Sequence, residues 1–406
     1  MESPTPRVYG YRWIVLAAFV LIAGMSQVLW ISFAPVTSAA AAFYHTSDLV
    51  IGLLSMSFMI VYVLMFLPAA WAIDTWGFKA AVGLGAFLTG VFGLVRGLFA
   101  SNLTIVFIAQ IGLAVGQPFI LGAITKLAAR WFPARERATA AGLGTLALYL
   151  GPLAAMLLSP HIVLRWGMVR MLRDFGYAAA VAAVLFLFLA RERPPTPAGA
   201  DERALMLDGL KSMLRRPDFR RLLLIFFVGL GLFNAVSTWI EVIVRPRGFS
   251  IGQAGLMGGL MLVGGIVGAI VMPLLSDKTR RRKPFIVFAI AGLVPGLVGM
   301  IFAATYPLLL ASSFVFGFCL LSAGPIGFQY AAEITHPAPE GTSNTLLLVM
   351  GQISGILFIF GMDAFKAPAT GAMTLPLVAL AVLAAGCVAL AVKLPESPIH
   401  HGKARI

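Results

Sequence analysis

The sequence predicts an all-α membrane protein with twelve transmembrane helices in two pseudo-symmetric six-helix bundles, and three observations carry that reading. Sixty per cent of the 406 residues are apolar and only 11 per cent are charged, whereas a soluble domain carries roughly a quarter charged residues. The apolar residues fall into twelve stretches, most of them near the ~20 residues that a helix needs to cross the hydrocarbon. Loop landmarks then repeat half a chain apart, which divides the twelve into six and six.

The stretches are 13–38, 49–73, 80–100, 103–128, 137–160, 175–190, 220–244, 252–275, 285–304, 307–331, 342–364 and 372–393. The first follows "MESPTPRVYGYRW", which lacks a short apolar core with a small-residue cleavage site, so this helix is expected to stay in the mature protein. The second and third are joined by "AAWAIDTWGFKAA" (69–81), which places Asp74, Gly77 and Lys79 at a helix junction. "WFPARERATAAGL" (131–143) follows the fourth, and Arg165, Arg170 and Arg173 fall between the fifth and sixth. After the sixth comes the most polar long connection, "RERPPTPAGADERALMLDGLKSMLRRPDFRR" (191–221), with the Pro-rich, charged composition of a linker and a short surface helix expected at 202–215. The eighth, "GLMGGLMLVGGIVGA", is dense in glycine, which suits either shifting contact between helices or close static packing. "VMPLLSDKTRRRKPF" (271–285) joins the eighth to the ninth, and "THPAPEGTSNTLL" (335–347) joins the tenth to the eleventh.

Asp74 to Asp277 is 203 residues; Pro133 to Pro337, Glu136 to Glu340 and Gly151 to Gly355 are each 204. The expected organisation is a six-helix bundle over 1–190, a linker over 191–219 and a second bundle over 220–406. The net charge of +14 is explained by membrane orientation, because the basic residues sit at helix ends; no nucleic-acid partner is expected. With the N-terminus inside, 23 of the basic residues lie on the inner side and 7, Arg96 among them, on the outer. Both termini are therefore expected in the cytoplasm. Cys319 and Cys387 fall inside apolar stretches and are expected as buried free thiols.

Twelve helices, inside termini and the Asp74, Gly77, Lys79 loop resemble the major facilitator superfamily, whose loop motif is usually richer in glycine and basic residues. Asp74 and Asp277 are read as latches of an inner gate, pairing with a cation or helix N-terminus of the neighbouring bundle, together with Gly77, Lys79, Glu136 and Glu340. The alternative is that the two aspartates cap the helices that follow. Within the superfamily, "YRWIVLAAFVLIAGMSQVLWISF", "LSMSFMIVYVLMFLPAAWAIDTWG", "AVGQPFILGAITKLAARWF", "GLFNAVSTWI" and "GFQYAAEITHPAPEGTSNTLL" resemble the feline leukaemia virus subgroup C receptor-related transporters.

That resemblance implies a central site of aromatic rings and amides, and facilitated movement of choline or ethanolamine, with links in the branch to haem and pyridoxine. Trp30 matches its first-helix tryptophan, and an indole face holds a quaternary ammonium by cation–π attraction of about 0.5–2 kcal/mol. Gln117 and Gln352 match its two glutamines. Its seventh-helix tyrosine is replaced by Asn234, which leaves Trp239 or Phe233 as the source of a second ring. Asn234 is 204 residues from Trp30, so the repeat sets the two in equivalent places. Each residue also has a plainer reading. Trp30 and Trp239 can be packing residues, Gln117 can bond the carbonyl that Pro118 leaves unpaired, and Gln352 can bond a neighbouring helix. No titratable residue is placed deep enough to couple an ion; Glu241, the best exception, has Arg245 four residues on.

Catalysis finds no serine elbow, metal-ligand cluster or phosphate loop, so neither an enzyme nor a cofactor is expected; the His400 and His401 pair is a weak metal motif. A non-transporting receptor would call for large extramembrane segments, and the longest here is 31 residues. The remaining readings are an amine or organic-cation facilitator, a carrier of a neutral vitamin such as pyridoxine, and an exporter of haem or amphipathic drugs. An organic-anion symporter would want a central buried arginine or lysine. The short connections point to a monomer in a bacterial inner membrane, with the bilayer and a small-molecule substrate as its partners.

Overall fold

A computed structural model describes residues 8–195, 210–336 and 340–397. The described residues form fifteen α-helices and two short 3-10 turns, with no strand. The first seven helices are α1 (Arg12–Ile31), α2 (Thr37–Tyr44), α3 (Asp48–Trp76), α4 (Phe78–Leu98), α5 (Leu103–Leu121), α6 (Ile124–Trp131) and α7 (Ala134–Leu189). The others are α8 (Leu210–Arg215), α9 (Pro217–Thr238), α10 (Ile240–Val244), α11 (Ile251–Thr279), α12 (Lys283–Phe302), α13 (Tyr306–Thr335), α14 (Glu340–Ala364) and α15 (Thr374–Val392). Of the expected surface helix over 202–215, the described part is α8; the other residues of that expectation, the His400 and His401 pair and the Glu340 side chain lie outside the described residues.

Eleven helical segments are long and apolar enough to cross a membrane. One of them, α7, runs for 56 residues and is two helices meeting at Gly167, where φ is 83° and ψ 172°. Only glycine adopts that backbone conformation at little cost. It supplies both the fifth and the sixth span. The break that the sequence suggested at 161–174 is narrower in the structure, because those residues keep a helical face. Met168, Met171, Leu172 and Phe175 are buried at helical spacing, while Arg165, Arg170 and Arg173 point outward. Arg170 pairs with Asp174 at 2.8 Å, one turn on.

The chain divides into two compact units. The first comprises Met1–Ser32, Ala39–Thr46 and Leu53–Leu205; the second takes Phe33–Ser38, Ser47–Gly52 and Met206–Ile406. Inside the first unit, α1 and α4 each pack along α7, and Phe19, Phe78, Phe119 and Phe186 fill the core. The second unit repeats this plan with α9 on α14 and α12 on α15, around Phe219, Phe226, Ile290 and Tyr330. Its tightest pairing is α11 on α13. A methyl group added at Gly264, Gly268 or Gly317 would fall inside the backbone carbonyl of Phe314, Phe318 or Met261 respectively. Small residues permit such backbone approach in a bilayer, where burying apolar surface drives little association. The first-unit counterparts, 204 residues earlier, are Ile60, Leu64 and Leu113, so the two units share a plan and differ in closeness.

Outward apolar side chains complete the membrane reading: Leu64, Phe188 and Leu274 are 68, 82 and 64 per cent exposed. Cys319 and Cys387 are free and buried, as expected.

Candidate functional site

Two constellations were expected, one of rings and amides within the helices and one at the helix junctions. Trp30 is 7 per cent exposed near the end of α1. Its indole N–H donates to the Ser55 carbonyl on α3 at 3.2 Å, and the Ser55 hydroxyl donates back to the Trp30 carbonyl at 3.2 Å. This reciprocal pair fixes the ring's orientation and occupies its one donor. Ser26 and Gln27, one turn earlier and both buried, carry a hydroxyl and an amide nitrogen without a partner among the described residues.

Gln117 on α5 is 5 per cent exposed, and its amide makes no hydrogen bond to a described residue. It is therefore not spent on the carbonyl that Pro118 leaves open. In the second unit the Asn234 amide donates to the Gly351 carbonyl at 3.1 Å, which brings α9 beside α14 at the residue preceding Gln352. Gln352 itself is half-buried, and its amide makes no hydrogen bond to a described residue. Trp239 is fully buried and its N–H donates to the Ile359 carbonyl at 3.1 Å. A methyl group at Gly52 would come within 2.6 Å of its ring, so the indole is a packed pillar with no open face.

At the junctions, both aspartates find cations inside their own units, where the sequence suggested partners from the neighbouring bundle. The Asp74 carboxylate lies 3.5 Å from Lys126 Nζ. Lys126 is 3 per cent exposed and also donates to the Ile73 and Asp74 carbonyls at 2.7 and 3.3 Å. Gly77 then turns the chain at φ 90° and ψ 175°, which leaves the N–H groups of Phe78 and Lys79 open at the start of α4. Glu192 takes both, at 3.0 and 2.6 Å, and pairs with Arg130.

The second unit builds the same device. Asp277 pairs with Arg282, which also meets Glu333 at 3.2 Å. Burial alone would lower the Arg282 guanidinium, but its hydrogen bonds to Asp277 and Glu333 outweigh that and hold it above its usual range. Glu396 accepts the N–H groups of Arg282 and Lys283 at 2.7 and 3.2 Å. Glu192 and Glu396 were not singled out in the sequence, although the signal was present: they stand 204 apart, each two residues before a proline. An anion at a helix N-terminus satisfies open donors and meets the positive end of the dipole. Glu192→Ala and Glu396→Ala are each expected to cost about 1–2 kcal/mol, and the double variant the sum, because the caps share no partners. Thermal unfolding of the three variants checks this; a single variant that melts like the parent excludes the capping role. The candidate Glu136 pairs with Arg12 at 3.1 Å, also inside the first unit.

Two charged residues sit differently from their sequence assignment. Arg96, placed among the outer ends, is fully buried; its guanidinium donates to the Leu29 carbonyl and to Gln110 at 3.0 and 2.8 Å. Acceptors on α1 and α5 hold the guanidinium inside the bundle, although Arg96 lies in the last turn of α4. Glu241 is 1 per cent exposed, and accepts from the Ser38 N–H and hydroxyl at 3.2 and 2.8 Å. Arg245, its expected partner, lies 3.8 Å away and bonds Asp48 more closely, at 3.2 Å. That bond holds the Arg245 guanidinium above its usual range.

A two-unit, all-helical chain with eleven membrane-length helical segments among the described residues, one of them supplying two spans, a repeated junction device and buried amides left open defines the class of helical membrane carriers. The sequence pattern of the Major Facilitator Superfamily matches residues 8–359, and the chain belongs to that superfamily. It is 32 per cent identical over 386 residues to solute carrier family 49 member A3 of Danio rerio, covering 89 per cent of this chain and 80 per cent of that one. It is 29 per cent identical over 387 residues to the choline/ethanolamine transporter FLVCR1 of Felis catus, covering 88 and 68 per cent. In fold it matches a bacterial homologue of the human lysosomal transporter Spinster, with a TM-score of 0.73, 17 per cent identity and 96 and 95 per cent coverage. A D-xylose-proton symporter matches with a TM-score of 0.72, 16 per cent identity and 97 and 98 per cent coverage.

Proposed function

We propose that the protein is a facilitator of a small organic cation of the choline or ethanolamine type, moved by alternating access without ion coupling. The observation that carries this reading is a fixed, nearly buried indole at Trp30 and, in the same unit, a buried amide at Gln117 that no described residue uses. Keeping such amides open inside a bundle costs free energy unless a ligand fills them. A ring face with amide oxygens suits a quaternary or primary ammonium bearing a hydroxyl. The names of the choline/ethanolamine transporters among its relatives agree with that chemistry.

Asn234 supports a second reading. With an amide where the resemblance implies a tyrosine, the site offers more hydrogen bonds and fewer ring faces, which suits a neutral polar vitamin such as pyridoxine. In this proposal Trp30, Gln117, Asn234 and Gln352 touch the solute and Trp239 supports them. Asp74, Gly77, Lys79, Asp277, Glu136 and Glu340 belong to the moving junctions. The protein acts as a monomer in the inner membrane with both termini in the cytoplasm.

Uptake of radiolabelled choline into proteoliposomes tests the reading. The expected result is saturable uptake that levels off at equal concentrations inside and outside, unchanged by an imposed pH gradient. Accumulation above equality with an acidic exterior would make it a proton symporter. Uptake of pyridoxine with none of choline would select the second reading.

A further inference from the structure

At one end of the first unit a pocket of about 510 Å³ is lined by Tyr9, Tyr11, Trp131, Arg191, Arg193 and two prolines. Volumes of that order hold small ligands. Its walls come from the residues before α1, the end of α6 and the stretch that leaves α7, three chain positions that the span order sets on the same face. Local bonds hold them together. Tyr11 donates its hydroxyl to the Leu189 carbonyl at 2.9 Å, Trp131 donates its indole N–H to the Arg191 carbonyl at 3.2 Å, and the two rings lie 6.2 Å apart. The Arg191 guanidinium rests 4.4 Å from the centre of the Tyr11 ring.

Among the described residues the charge in this pocket is unbalanced. Neither Arg191 nor Arg193 has a carboxylate partner among the described residues. Glu192, which stands between the two arginines in the chain, is committed to Arg130 and the start of α4, and Glu136 is committed to Arg12. Nor does packing of the repeat demand this lining. The positions 204 residues on from Tyr11, Trp131, Arg191 and Arg193 hold Arg215, Thr335, Pro395 and Ser397, so the second unit builds the same fold without it.

We propose that this pocket binds a phosphate group, carried either by the headgroup of an anionic phospholipid or by a soluble phosphate compound. Paired guanidiniums suit phosphate oxygens by charge and by fork geometry, and a basic pocket at the cytoplasmic ends of membrane helices is where such headgroups lie. Tyrosine and tryptophan are the residues that sit at headgroup depth, and Trp13, on the same end of α1, is 42 per cent exposed there. The proposal does not depend on which solute is transported.

The test is thermal unfolding of the full-length protein in dodecyl maltoside, titrated separately with dioleoylphosphatidylglycerol, dioleoylphosphatidylcholine and sodium phosphate. The parent is compared with the double variant Arg191→Gln, Arg193→Gln and with the double variant Arg280→Gln, Arg281→Gln, which removes the same charge from exposed positions of the second unit. The expected result is saturable stabilisation of the parent and the second variant by phosphatidylglycerol, with at least a tenfold higher half-saturating concentration in the first. Stabilisation by inorganic phosphate alone, lost in the first variant, keeps the site and assigns it to a soluble ligand. Equal responses from the two variants, or no response of the parent to either anion, would overturn the proposal. If the first variant does not fold, Arg193→Gln alone decides, since that side chain makes no hydrogen bond or ring contact to a described residue.

Discussion

Trp30→Ala is expected to weaken choline binding at least tenfold, read as the concentration that half-saturates thermal stabilisation. Cation–π attraction by a desolvated indole reaches about 2 kcal/mol, and each 1.4 kcal/mol or so is a factor of ten in affinity. The unliganded variant also melts lower, because the indole N–H bond to Ser55 and the ring's packing on α1 and α3 are lost. The ligand-dependent shift is therefore the quantity to compare. Trp30→Phe separates the two effects: it keeps a π face and gives up the Ser55 bond, so binding falls by a smaller factor while the unliganded melt drops by about 1 kcal/mol. Equal choline affinity in Trp30→Ala and the parent would remove the indole from the site and leave the amides Gln117, Asn234 and Gln352 to define the solute.

Gly317→Ala is expected to be the most destabilising single-methyl change in the second unit. The added carbon would fall inside the Met261 carbonyl on α11, and a backbone atom in a regular helix has no rotamer through which to yield. The helices have to separate, which opens the matching contacts of Gly264 with Phe314 and of Gly268 with Phe318. Overpacking of a core costs about 1–3 kcal/mol where side chains can adjust; here the top of that range or beyond is expected, with loss of the monodisperse peak on size-exclusion chromatography. Gly386→Ala is the control, an exposed helical glycine with nothing within 4 Å of the new carbon, and it should melt at or above the parent's temperature. A Gly317→Ala protein that melts like Gly386→Ala would show that α11 and α13 are not held at this distance.

The helices and their boundaries follow from runs of apolar residues, because in a bilayer the cost of exposing backbone polar groups leaves the chain little alternative. The repeat was legible for the same reason: Asp74 and Asp277, Glu136 and Glu340 stand out as charges against an apolar ground. The break expected at 161–174 exists but is confined to Gly167, because the exposed Arg170 and Arg173 look like a loop when the buried Met168, Met171 and Phe175 opposite them are not weighed. What the carboxylates bind was beyond the sequence. Lys126 lies 52 residues from Asp74, and Glu192 lies 113 from Lys79; only tertiary packing brings α6 to the end of α3, and the stretch after α7 to the start of α4. The same holds for the candidate site. Composition and resemblance pointed to Trp30, Gln117, Asn234 and Gln352, but whether an amide is already spent on a neighbour is a matter of three-dimensional contact. The structure spends Asn234 on Gly351 and leaves Gln117 and Gln352 open. Sequence by itself therefore determined the class of protein, its crossings and its doubling, since these depend on the local preference of each segment for lipid or water. Tertiary structure alone decided the partners of the charges, the closeness of α11 to α13, the burial of Arg96 and Trp239, and the arginine-lined pocket of the first unit, because each depends on side chains far apart in the chain meeting at a few ångströms.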